Sequence, residues 1–255
     1  MAIQSVDLNE QTWNALLALR EGVTTSAGSH PAMELYGPIA KATGQFVVAQ
    51  VGQSLDGRVA TPAGDARDVS GPDGLAHLHR CRALVDAVIV GENTVTSDNP
   101  RLSVRHASGH DPVRVVIDCH ARLTGQEGLF HDNGTSVIVF QSTEAPSRQL
   151  GNAEIVALAP CATGLAPQAI LQALEQRGLH CILVEGGART IARFIDAGLV
   201  DRLHVAISPV IIGSGPSGIR LPPIERLTEA YRPQPKIYSL GSDILFDCPL
   251  RPCRS

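Results

Sequence analysis

Apolar residues along this chain gather in short runs, separated by polar, glycine-bearing segments and by stretches of helical period. Phe46-Val47-Val48-Ala49-Gln50-Val51, Ala87-Val88-Ile89-Val90 and Val113-Arg114-Val115-Val116-Ile117 are three such runs. Ser136-Val137-Ile138-Val139-Phe140, Glu154-Ile155-Val156-Ala157, Cys181-Ile182-Leu183-Val184 and Leu203-His204-Val205-Ala206-Ile207 are four more. Each has the length of a strand, and most lack the alternation of a strand with one wet face. Between them, 72–85 predicts a helix with Leu75, Leu78, Cys81, Arg82 and Leu84 in register. A second helix is predicted over 167–177, with Ile170, Leu171 and Leu174 apolar and Gly178 as its stop. A third follows Gly187, with Ile191, Phe194, Ile195 and Leu199 at helical spacing. Ile237–Leu240 and Ile244–Phe246, split by Gly241-Ser242-Asp243, predict a closing hairpin. Buried strands alternating with helices imply an α/β fold with a mixed, mostly parallel sheet covered on both faces.

The first 44 residues follow a different pattern. Trp13, Leu16, Leu17 and Leu19 predict one helix, 22–31 a Ser/Thr/Gly-rich connector, and Tyr36-Gly37-Pro38 a turn. Residues 1–44 are therefore expected to be a helical extension that docks on the body, 45–250, or covers a dimer partner.

Composition narrows the classes. A chain of 255 residues, 44% hydrophobic, can bury a full core. With 18% charged residues and a formal net charge of −4, it lacks the basic surface that nucleic-acid binding needs. No apolar run approaches a membrane span, and 1–7 lacks the basic and apolar segments of a signal peptide. The six cysteines show no CxxC pair and several lie in apolar runs, which fits reduced thiols in a cytoplasm.

Candidate chemistry sits at the carboxyl ends of the strands, where sheets of this kind bind ligands. Leu183-Val184-Glu185-Gly186-Gly187-Ala188-Arg189-Thr190 joins a buried strand to a helix through two glycines. Such a turn lets the free N–H groups and the positive end of a helix dipole meet a phosphate. It is also compatible with an ordinary tight turn. A second cluster, Gly91 to Arg105, supplies a glycine, hydroxyls, the Asp98 carboxylate and the arginines Arg101 and Arg105. Arg82 precedes it on a helix, and arginines at fixed positions suit bidentate phosphate recognition. A third, Ser54-Leu55-Asp56-Gly57-Arg58, follows the Phe46 strand.

Ser54-Leu55-Asp56-Gly57-Arg58, Thr94-Val95-x-x-Asp98-x-Pro100-x-Leu102-x-Val104-Arg105 and Val184-Glu185-Gly186-Gly187 resemble, in order and spacing, the reductase domain of the riboflavin-biosynthesis deaminase/reductase family. Ala197 to Asp201 and Ser208 to Gly213 are family-like too, so the resemblance runs from about Phe46 to Asp247. It implies a dihydrofolate-reductase-like three-layer α/β/α fold and NADPH laid across the strand ends. By this resemblance Gly52, Thr94, Asp98, Gly186, Gly187, Ala188, Arg189 and Thr190 lie on the cofactor side, with Arg189 or a nearby arginine pairing the 2′-phosphate. Arg82 and Arg105 hold the substrate's ribose phosphate, Leu102 packs beside it, and Glu185 faces the ribose. The implied reaction is hydride transfer to C1′ of a ribosylaminopyrimidine phosphate, with Glu185, or else Asp56, as the carboxylate that moves a proton. The resemblance, together with the edge strands expected at 203–212 and 237–246, also implies a homodimer.

The chain departs from the family at Ala66-Arg67-Asp68-Val69, where many members carry Ser-x-Trp-Ile, and at Cys119, where they carry serine. The zinc-deaminase signature, His-x-Glu followed by Pro-Cys-x-x-Cys, does not occur, and no metal is implied. Three alternatives stand: a pterin or folate reductase, a reductase of the same fold turned to another pyrimidine or purine-derived metabolite, and a non-catalytic dinucleotide-binding protein.

Overall fold

The computed structural model describes residues 3–25 and 30–251. Part of the connector expected over 22–31, and Cys253, lie outside the described residues. In chain order the elements are β1 (Ile3–Ser5), α1 (Glu10–Arg20), α2 (Pro31–Ala40), β2 (Phe46–Ser54), α3 (Pro72–Ala83), β3 (Ala87–Gly91), α4 (Glu92–Asp98) and β4 (Val113–Ile117). Then follow β5 (Val137–Ser142), β6 (Glu154–Leu158), the short ribbon β7 (Pro160–Cys161) and β8 (Gly164–Leu165), and α5 (Pro167–Glu175). The chain continues with β9 (Cys181–Glu185), α6 (Ala188–Asp196), β10 (Arg202–Ser208), β11 (Lys236–Leu240) and β12 (Asp243–Pro249).

Ten strands form one sheet in the order β1-β11-β12-β10-β2-β9-β3-β4-β5-β6. Every neighbouring pair is parallel except the two made by β12, which runs against both β11 and β10. The alternation of side chains along each strand divides the core in two. Val48, Val88, Val90, Val116 and Leu183 face α1, α2 and α3, with Trp13, Leu16, Leu35, Ile39 and Leu84. Val47, Ala49, Ile89, Val115, Ile182 and Val184 face α5 and α6, with Ile170, Leu174, Ile191 and Phe194. The result is a three-layer α/β/α fold of the dihydrofolate-reductase type. Among the described residues no helix is long and apolar enough to cross a membrane.

Residues 3–25 and 30–44 are built into this body. β1 extends the sheet beside β11, and Leu16, Leu35 and Ile39 are fully buried, each burial worth roughly 1.5–3 kcal/mol. Trp13 stacks edge-on to Tyr36 with centroids 5.9 Å apart and donates its indole N–H to the Ser108 carbonyl at 3.0 Å. The turn expected at Tyr36-Gly37-Pro38 is instead the second half of α2. Pro38 sits near the C-terminal end, where it forfeits one backbone bond, and burial of Leu35, Tyr36 and Ile39 outweighs that loss. The expected edge strands are also corrected. β10 and β12 are interior, β11 is covered by β1, and the edges are β1 and β6. A three-residue strand from the far end of the chain closes that side, and no sequence pattern local to 203–246 could announce it.

Candidate active site

β9 lies between β2 and β3, and its last residue, Glu185, is followed by Gly186 and Gly187 at φ +60° and +48°. Both are left-handed conformations that side chains resist. Space is also scarce. A Cβ on Gly186 would stand 3.1 Å from Thr94 Oγ1, and one on Gly91, at the end of β3, 2.9 Å from Thr190 Oγ1. Glycines thus bring the β3–α4 and β9–α6 turns together with the Thr94 and Thr190 hydroxyls between them. α6 opens at Gly187 without a side-chain cap; the Thr190 amide donates to the Gly187 carbonyl at 2.9 Å, and those of Ala188 and Arg189 have no partner among the described residues.

These turns floor a cleft of about 510 Å³ lined by Thr94, Gly187, Ala188, Arg189 and Thr190. Five arginines surround it: Arg58, Arg122, Arg189, Arg193 and Arg220. Two of them brace the walls. Arg193 donates to the Leu165 carbonyl at 2.5 Å, and Arg58 to those of Gly213 and Gly215 at 3.0 and 3.2 Å. Arg122 pairs with Glu92 at 3.3 Å, while Arg189 and Arg220 are exposed. A helix N-terminus amid cations suits a ligand with several phosphates.

Behind the glycine turn, Glu185 is locked to Arg82 of α3. Nε and Nη2 of the guanidinium each donate to one carboxylate oxygen at 2.7 Å, and Nη1 donates to the Ser103 carbonyl at 3.0 Å. Both residues are buried, 5% and 6% exposed. The guanidinium expected to clamp a phosphate therefore already holds a carboxylate. Burial disfavours the Arg82 cation, and Glu185 more than compensates, raising its pKa.

The remaining candidates are dispersed. Arg105 is exposed, with Nη1 on Ser103 Oγ at 3.1 Å; burial and then the neighbouring cations Arg82 and Arg101 lower its pKa. The region beside Ser103 is thus a patch of positive charge. Leu102 is a core residue, 1% exposed, held at φ +56°. Asp98 ends α4 on the exposed surface, and Gly52 lies within β2, where a Cβ would meet Ser70 Oγ at 2.5 Å. Asp56 accepts from the Ser54 hydroxyl at 2.5 Å and from the amides of Ile212 and Gly213 at 3.1 and 2.6 Å. These donors, the hydroxyl first, hold its pKa at about 2. Asp56 fastens the segment after β10 to the end of β2.

Several residues at the site carry no sequence signal of their own. Arg122, Arg193 and Arg220 come from three separate segments. His79, three residues before Arg82 on α3, is 1% exposed and accepts the Arg105 amide on Nδ1 at 2.9 Å. Burial, then Arg82 and Arg105, push its pKa down to about 4. The fold thus holds His79 neutral while the unfolded chain protonates it near pH 6.5. Stability is expected to fall as pH drops from about 6.5 toward 4, where the unfolded chain binds the extra proton. His79→Asn keeps an acceptor for the Arg105 amide, so denaturant midpoints across that window should fall less steeply in the variant; equal slopes would refute this.

Known proteins share this architecture. Residues 45–246 match the RibD C-terminal domain. The 2,5-diamino-6-ribosylamino-4(3H)-pyrimidinone 5′-phosphate reductase of Methanothermobacter thermautotrophicus is 31% identical over 211 residues, covering 79% of this chain and 96% of that protein. The riboflavin biosynthesis protein RibD of Escherichia coli is 29% identical over 78% of this chain, which spans 58% of that longer protein. Among solved structures, the diaminohydroxyphosphoribosylaminopyrimidine deaminase/5-amino-6-(5-phosphoribosylamino)uracil reductase of Thermotoga maritima superposes with a TM-score of 0.67 at 28% identity, over 86% of this chain and 60% of that one.

Proposed function

We propose that this chain, which belongs to the RibD C-terminal domain family, reduces the ribosyl group of a phosphorylated ribosylaminopyrimidine to the ribityl form with NADPH, in riboflavin biosynthesis. The observation that carries the proposal is the junction of two sites at the end of β9. An arginine-rimmed cleft on the Gly187 helix start adjoins a buried carboxylate, Glu185, beside a cationic patch. The cleft fits a dinucleotide: its glycines admit phosphates at backbone distance, and its cations outnumber its carboxylates. When bound there, NADPH supplies the hydride that reduces C1′ of the ring-opened sugar.

The protein's own groups bind and orient. Gly187, Ala188 and Thr190 present amides and a hydroxyl to the pyrophosphate, with Gly186 and Thr94 shaping the turn beneath it. Arg189 or another cleft arginine takes the 2′-phosphate. Glu185, both oxygens engaged by Arg82, accepts hydrogen bonds from the substrate's ribose hydroxyls. As a proton shuttle it takes the proton of the exocyclic nitrogen as the C1′ imine forms and returns it to the ring oxygen that leaves C1′. Arg105 takes the substrate phosphate, while Arg82 holds Glu185 in place. Asp56, ionised down to about pH 2, holds the 212–213 segment over the cleft side and donates no proton at neutral pH.

The test is direct. Purified protein, NADPH and the deaminated or diamino pyrimidine ribosyl phosphate should show loss of reduced-nicotinamide absorbance, with kcat/KM for NADPH well above that for NADH. No turnover with either substrate refutes the activity, and equal use of the two cofactors refutes the 2′-phosphate reading. The cytoplasm suits this chemistry, since the five described cysteines are all free thiols. We further propose a homodimer, resting on Leu55, Val210 and Ile211, which are 63%, 40% and 75% exposed near one another, the Leu55 amide bonding the Val210 carbonyl. A monomer mass by light scattering at micromolar concentration refutes it.

A further inference from the structure

We propose that His77 and Cys81 of α3 and His204 of β10 form a buried site for one cuprous ion. The two α3 residues, four apart, share one helical face, and β10 presents His204 opposite them. All three side chains are fully buried, and their candidate ligand atoms lie within 4.8 Å of one another. Cys81 Sγ stands 3.7 Å from His77 Nε2 and 3.8 Å from His204 Nδ1. Metal–sulfur bonds of about 2.3 Å and metal–nitrogen bonds of about 2.0–2.1 Å put ligand atoms roughly 3.5–3.8 Å apart across a shared ion. The two imidazoles are 5.1 Å apart by centroid and tilted 37° to one another.

The outer groups match as well. Metal-bound imidazoles hold their second nitrogen against an oxygen, which fixes tautomer and ring plane. Here His77 Nδ1 is 2.9 Å from the Tyr36 hydroxyl, and His204 Nε2 is 3.4 Å from Asp247 Oδ1. Asp247 is itself held by Arg202, with Nε at 2.9 Å. His204 Nε2 makes no hydrogen bond among the described residues.

Charge selects the ion. The Asp247 carboxylate is neutralised by Arg202, so among the described residues of this cluster the anion that balances a metal is the Cys81 thiolate. A monovalent cation leaves the cluster neutral in a dry core, whereas a divalent one leaves a net positive charge there. Three ligands of thiolate and imidazole, with no fourth His, Cys or carboxylate in the group among the described residues, suit a soft cation content with trigonal coordination. Binding exchanges the Cys81 thiol proton for Cu⁺ and releases it to solvent, with no change of oxidation state. The His77 Nδ1–H then donates to the Tyr36 oxygen. The ion would pin α3, the helix that carries Arg82, to β10.

The experiment uses the full chain with Cys119, Cys161 and Cys253 replaced by serine, so that other thiols do not compete. Cu⁺ is titrated anaerobically against a chromophoric cuprous chelator, and X-ray absorption reads the ligand set. One Cu⁺ per chain, with one sulfur and two nitrogen or oxygen neighbours, is expected. Cys81→Ser should abolish it, and Tyr36→Phe should weaken affinity roughly ten- to a hundredfold while thermal melting shows both variants folded. Absence of Cu⁺ binding, or binding that survives Cys81→Ser, overturns the proposal and leaves a plain hydrogen-bonded chain. Tighter binding of Zn²⁺ than of Cu⁺ at the same residues overturns the choice of ion.

Discussion

Arg82→Ala is expected to lower the stability of the fold by about 3–5 kcal/mol, because it leaves the buried Glu185 carboxylate without its counter-charge. The denaturant midpoint reads this directly. Replacing both partners, as in Arg82→Met with Glu185→Leu, should cost much less than the two single losses together, since no unpaired charge remains. Arg105→Ala should behave in the opposite way. Its guanidinium is exposed and bonded only within its own loop, so the midpoint should hardly move. KM for the phosphorylated substrate should instead rise roughly ten- to a hundredfold, the value of a charge-assisted contact of about 1.5–3 kcal/mol. Two arginines that look equivalent in the sequence are thereby separated: one supports the site and the other meets the ligand. An Arg82→Ala variant of unchanged midpoint and raised KM would refute this division.

Gly187→Val should weaken NADPH binding more than it weakens folding. At φ +48° a branched residue costs about 1–2 kcal/mol of backbone strain. The Cβ itself finds only ordinary contacts, 3.4 Å from Thr190 Oγ1 and 3.5 Å from Thr94 Oγ1. The two methyl groups beyond it reach into the cleft, where they push a phosphate off the amides of α6. Loss of those contacts corresponds to a ten- to hundredfold rise in the dissociation constant, on the order of 1.5–3 kcal/mol. Fluorescence titration with NADPH on a variant shown to be folded measures it. Unchanged affinity would mean that the helix start does not hold the cofactor.

What the sequence reveals follows from how local each cause is. β3, β4, β9 and α5 are legible because burial on both sheet faces, or on one helix face, writes itself into consecutive residues. α4 is not, because its seven residues bury only Val95, and its polar surface looks like a loop. Proline at position 38 suggests a turn, yet tertiary burial around Tyr36 decides for helix. At the site, the glycine pair was visible as strand–glycine–helix punctuation. The Arg82–Glu185 pair was not, since its partners are 103 positions apart and only the β9–α3 packing joins them. The same holds for the cleft arginines and for His204 opposite Cys81. Each is a meeting of separate elements, and a single sequence carries no record of it.

The position of β2 has a consequence for synthesis on the ribosome. Its neighbours in the sheet are β9 and β10, so about half the chain is made between β2 and the first strand able to pair with it. Through that interval Phe46–Ser54, apolar at Phe46, Val47, Val48, Ala49 and Val51, has two unsatisfied edges and no permanent partner. The α3-to-β6 part can already pair strand on strand in order as it emerges, whereas the centre of the sheet must wait. β1, the first strand to leave the exit tunnel, finds its partner only when β11 arrives, and the pair reaches the sheet only through β12. A chain stalled before residue 181 is therefore a natural client for chaperones that recognise unpaired apolar strands, while one stalled after residue 208 has the β9–α6 floor of the cleft but still lacks its Gly215–Arg220 wall and the strands that close the sheet.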